Sequence, residues 1–163
     1  MPIDRPVTAI LPPLALPSGK RGDRTALPAY AGSADALTIA HLAQASQGAA
    51  PAPVAVLTAT AADAQRLLEE IPWFAPELRV RLLPDWETLP YDGFSPHHDL
   101  VSERLATLYC VSRGECDVLL VPATTAAYRF APLAYLAAYT FFLKQGERLD
   151  TEALRAQLTL AGY

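Results

Sequence analysis

The chain has 163 residues, room for one domain of ordinary size or for one domain and part of another. Its apolar share of 52% supports a buried core, and its net charge of −4 gives no general basic field to attract nucleic acid. No apolar run approaches the ~20 residues of a membrane span, and Pro12 and Pro13 interrupt the apolar start with no small-x-small cleavage site after it, so the chain reads as cytoplasmic, with no membrane partner.

Residues 1–31 carry Pro2, Pro6, Pro12, Pro13, Pro17 and Pro28 and read as an irregular, proline-rich lead-in. Ser33 then caps a helix to about Gln47, with Leu37, Ile39, Ala40 and Leu42 as its apolar surface and Gly48 as its stop. Val54 to Thr58 is a short, continuous apolar run, the pattern of a strand covered on both faces. Thr60 and Asp63 form a capping box with Asp in place of the usual Glu or Gln. The helix they open places Ala64, Leu67, Leu68 and Ile71 at helical spacing and ends at Pro72. Leu78 to Leu83 is a second strand in which Arg79 and Arg81 alternate with Val80 and Leu82.

After an irregular loop, Ser95-Pro96 predicts a helix start, a hydroxyl cap followed by proline at the first helical position. Val101, Leu105, Leu108 and Ser112 share one face of that helix, and Gly114 terminates it. Cys110 and Cys116 flank its end; a zinc site needs about four ligands, so they read as reduced thiols. Asp117 to Pro122 is the third strand, and Thr124-Thr125 starts a short helix. Tyr139 to Leu143 reads as a further strand, and Asp150 caps a helix carrying Leu154 and Leu158 and closed at Gly162. The alternation of strand and helix predicts an α/β fold, a three-layer parallel sheet with helices on both faces. In such sheets ligands bind beyond the carboxyl ends of the strands.

The most distinctive stretch is Leu83-Pro84-Asp85-Trp86-Glu87-Thr88-Leu89-Pro90-Tyr91-Asp92, followed by Phe94-Ser95-Pro96-His97-His98-Asp99. Its prolines fix φ and remove backbone donors, and Trp86, Tyr91 and Phe94 offer broad apolar faces. This wording resembles the bacterial transcription-repair coupling factors. Matches continue at Glu103-Arg104-Leu105-Ala106-Thr107-Leu108-Tyr109, at Val118 to Pro122, and from Gly146-Glu147-Arg148-Leu149 to Ala161-Gly162-Tyr163; the likeness is weak before Pro53. The resemblance implies that residues 32–128 form a module similar to the excision-repair protein UvrB, with a degenerate, P-loop NTPase-like nucleotide loop. Residues 129–163 would open a small α+β domain of the UvrA-binding type, cut short here. It further implies a full-length protein that is an ATP-dependent, magnesium-using DNA translocase. That protein displaces stalled RNA polymerase and recruits UvrA, with its polymerase- and duplex-binding domains beyond Tyr163.

A phosphate loop reads G-x-x-x-x-G-K-[ST]. Glycine lets backbone amides face the phosphates, lysine neutralises them, and the hydroxyl holds magnesium. Set against that pattern, Gly32 falls on the second glycine, Asp35 where lysine belongs and Ala36 where Ser or Thr belongs, with Ser33 between. An aspartate there repels a phosphate. The plainer reading makes Gly32-Ser33 a turn and a cap; both readings predict no bound cofactor, ATP or magnesium, in this chain. Lys20 lacks an upstream glycine and a preceding apolar strand, so it is no phosphate ligand.

Adjacent His97 and His98 on a helix point about 100° apart, which suits surface positions better than one metal ion. Asp85, Glu87 and Asp92 could work as paired carboxylates, but among prolines and aromatics they read as turn caps. Arg79, Arg81, Arg104 and Arg113 are the candidates for nucleic acid; they are scattered, without alternating aromatics. No residue presents itself as catalytic or metal-ligating.

The leading reading is a non-catalytic scaffold and interaction module for transcription-coupled repair. A second is a self-contained α/β nucleotide-binding protein or enzyme using the mouth beyond the strands of Val54, Val80 and Val118. A third, direct duplex binding, demands a steep salt dependence that the net charge argues against.

Overall fold

The computed structural model describes residues 22–47, 52–88, 91–130, 132, 134, 136, 145–146 and 148–161. Three strands, β1 (Val54–Thr58), β2 (Val80–Leu82) and β3 (Val118–Pro122), form one parallel sheet in the order β1-β3-β2. Around them lie helices α1 (Ala34–Ser46), α2 (Ala61–Phe74), α3 (His98–Ser112) and the single turn α4 (Ala123–Ala126); α5 (Thr151–Ala161) follows. Parallel neighbours need crossover connections, and α2 and α3 supply them. The last of the three described strands takes the centre, with Val118 opposite both Val54 and Val80, and Leu120 opposite both Val56 and Leu82.

The core lies on the sheet face carrying Val118 and Leu120. Ala36, Ala40 and Ala43 of α1 and Ala64, Leu67 and Ile71 of α2 pack there, flanked by Val54, Val56, Val80 and Leu82. The alanines recur every three or four residues, so α1 presents a narrow side that fits against α2. Burying side chains such as Leu67 and Ile71 contributes about 1.5–3 kcal/mol each. The two helices run the same way: Asp35 pairs with Arg66 near their starts, and Gln44 Nε2 in the last turn of α1 donates to Glu77 Oε1 just past the end of α2. Since α2 starts just after the carboxyl end of β1, both helix amino ends lie at the carboxyl edge of the sheet.

Several expectations need correction. β1 is not covered on both faces: it is an edge strand, Ala55 points out, and Leu57 is 69% exposed. A short apolar run cannot distinguish a half-buried strand from a fully covered one. The other face also exposes Arg81, while Val121 of β3 is buried on it, so the described sheet is only partly covered on that side. β2 is only three residues long, with buried Leu78 and Leu83 flanking it. α2 does not end at Pro72 but runs to Phe74. Proline removes its own backbone donor, but the buried side chains of Ile71 and Ala75, and the bond from Ala75 N to Ile71 O (3.0 Å), hold the last turn.

α3 begins at His98, two residues later than Ser95-Pro96 predicts; His97 is its cap, with Nδ1 accepting from Asp99 N (3.3 Å). The buried residues of α3 are Arg104 and Thr107, while Val101, Leu105 and Leu108 are only half-buried and Ser112 is exposed. Ser33 stands at the cap position of α1, but its hydroxyl makes no capping bond; Asp35 Oδ1 accepts from Ala36 N (2.8 Å) instead.

Other local readings match the structure. Thr60 caps α2, its Oγ1 accepting from Asp63 N (3.1 Å). The short helix after β3 is α4. Asp150 Oδ1 accepts from Glu152 N and Ala153 N at the start of α5, where Leu154 and Leu158 are half-buried. The stops at Gly48 and Gly162 and the strand over 139–143 lie outside the described residues. Among the described residues, no helix is long and apolar enough to cross a membrane.

Candidate functional site

Beyond the carboxyl end of β2, buried Leu83 anchors the chain, and the irregular loop starts at Pro84. Asp85 Oδ1 accepts from Trp86 N (2.8 Å), turning the backbone. Glu87 (φ 57°) and Tyr91 (φ 111°) adopt positive φ, which costs a non-glycine residue roughly 1–3 kcal/mol. Contacts from α3 hold this shape. Arg104, only 3% exposed, places its guanidinium carbon 4.1 Å from the centre of the Trp86 ring, and its Nη1 donates to the Pro84 carbonyl. One turn along, Thr107 Oγ1 donates to Leu82 O (3.2 Å). Two buried polar side chains therefore join α3 to the end of β2 and to the loop. Burial pulls the Arg104 pKa down, and the charge of Asp85 acts in the opposite direction.

The loop walls an open cavity of about 380 Å³ with Trp86, Tyr91, Phe94, Pro96 and Tyr128, edged by Asp92. Phe94 is 84% exposed and Tyr91 wholly so. Exposed apolar groups gathered in one place mark a contact surface more often than scattered ones do. The cavity opens at the sheet edge where α/β folds hold ligands.

The phosphate-loop positions lie elsewhere on that edge. Gly32 turns the chain with φ +58°, and no described strand leads into it; residues 23–31 are neither helix nor strand. Asp35 faces Arg66, with Oδ2 2.7 Å from Nη2 and Oδ1 3.2 Å from Nη1, and Arg66 also reaches Glu70 (2.7 Å). The Arg66 hydrogen bond holds the Asp35 carboxyl below its usual pKa against the opposing effect of burial. Ala36 is wholly buried in the core. The motif's own spacing also corrects the register: with Asp35 at the lysine place, Ala34 rather than Gly32 stands on the adjoining glycine. The signal missed in the sequence was Arg66, whose match to Asp35 lies 31 positions away.

The four candidate arginines do not form a surface. Arg79 grips Asp117 through Nε and Nη2 (2.9 and 2.7 Å), and its backbone N–H donates to the same carboxylate (2.7 Å). The Arg79 hydrogen bond lowers the Asp117 pKa despite burial. Arg113 bonds Glu115 and lies over Tyr109, Arg104 is buried, and Arg81 stands on the exposed sheet face. His97 and Asp99 approach each other at 3.4 Å at the start of α3, and His98 is exposed. Glu87 and Asp92 are exposed on the loop, whereas half-buried Asp85 shapes it. Burial pushes the Cys116 thiol up to about 11, and its Sγ donates to Val118 O.

These features define a parallel α/β domain bearing an acid-edged aromatic loop at the carboxyl edge of its sheet. No family model matches the chain. Curated proteins do. The transcription-repair-coupling factor of Escherichia coli (strain K12) is 40% identical over 144 residues, covering 88% of this chain and 12% of that protein. That of Haemophilus influenzae is 37% identical over 130 residues, 80% of this chain and 11% of the relative. That of Myxococcus xanthus is 30% identical over 153 residues, 88% of this chain and 12% of the relative. The chain belongs to the transcription-repair-coupling factor family and spans 11–12% of the length of these relatives.

Proposed function

We propose that this chain is the amino-terminal scaffold and interaction module of a transcription-coupled repair factor, with no nucleotide chemistry of its own. The observation that carries the reading is the Asp35–Arg66 ion pair. No lysine directly follows Gly32, and the nearby Asp35 carboxylate, which would repel a phosphate, is committed to joining α1 to α2. The names and coverage of the relatives support the assignment to repair. In the full-length protein, an ATP- and magnesium-dependent translocase would displace stalled RNA polymerase on duplex DNA and recruit UvrA. Residues 32–128 form the UvrB-like part of this reading. Residues 129–163 open the UvrA-binding domain, a division supported by the exposure of most of α5.

Titration calorimetry with magnesium-ATP tests the reading. The chain gives no saturable heat. Micromolar binding that weakens in Asp35→Ala would instead favour a nucleotide-binding protein with its site at the start of α1.

A further inference from the structure

We draw no further inference here: the strongest candidate, the open aromatic cavity beyond β2 walled by Trp86, Tyr91, Phe94 and Tyr128, is an unpartnered apolar face, and nothing in the structure shows what covers it.

Discussion

Replacing Arg104 with methionine tests what holds the aromatic loop in place. Methionine keeps much of the side-chain volume, so the change removes the charge and its directed contacts. The lost bond to the Pro84 carbonyl, a hydrogen bond from a charged donor, is worth about 1.5–3 kcal/mol. The lost stacking on Trp86 adds about 0.5–2 kcal/mol. Relief works the other way, because a guanidinium only 3% exposed has surrendered its hydration, and a thioether regains that cost. The net expectation is a loss of about 1–3 kcal/mol, with the loop losing its Trp86 geometry before the core melts. Urea unfolding at constant m gives the stability change, and the Trp86 indole resonance reports the loop. A double-mutant cycle with Trp86→Leu isolates the pair and should give a coupling of about 0.5–2 kcal/mol. A coupling near zero, or an Arg104→Met chain within about 0.5 kcal/mol of the parent, refutes this account.

Ile71→Ala should cost about 2–5 kcal/mol in urea unfolding, because Ile71 is wholly buried between α2 and the sheet. Leu57→Lys should change stability by no more than about 0.5 kcal/mol in this chain, since Leu57 is already 69% exposed; a large loss would mean that the sheet face is covered. Asp117→Asn should destabilise at neutral pH. The folded pKa of Asp117 is lowered from 3.8, so the stabilisation is complete above that value and fades as pH falls through the folded pKa. The gap between variant and parent, read by thermal melts across pH, should therefore close on acidification and persist at high pH. Thr60→Ala should cost about 1 kcal/mol through the lost α2 cap, again measured by urea unfolding.

The sheet was legible because its signals are local. β1 and β3 are apolar runs and β2 alternates apolar residues with arginine, and Thr60 and Asp150 mark helix starts by chemistry that acts within three residues. What failed depended on distant partners. Whether Leu57 is covered is decided by what packs on the second face, which no periodicity encodes. Pro72 reads as a stop until Ile71 and Ala75 are seen to be buried on either side of it. The site was half legible. Trp86, Tyr91 and Phe94 stood out as an aromatic loop, but Arg104 read as a surface cation because its carbonyl acceptor is 20 positions away. Asp35 was singled out for the charge it would present to a phosphate, while its partner Arg66 gave no sign in a helix of ordinary polarity.

Three helices, α1, α2 and α3, begin with an acid in the first turn: Asp35, Asp63 and Asp99. α2 and α3 each follow a strand of the sheet, α1 precedes the first, and each helix start carries a partial positive charge. In related architectures that charge is answered by a bound anion. Here the polypeptide supplies resident counter-ions of its own, one acid in the first turn of each of these helices.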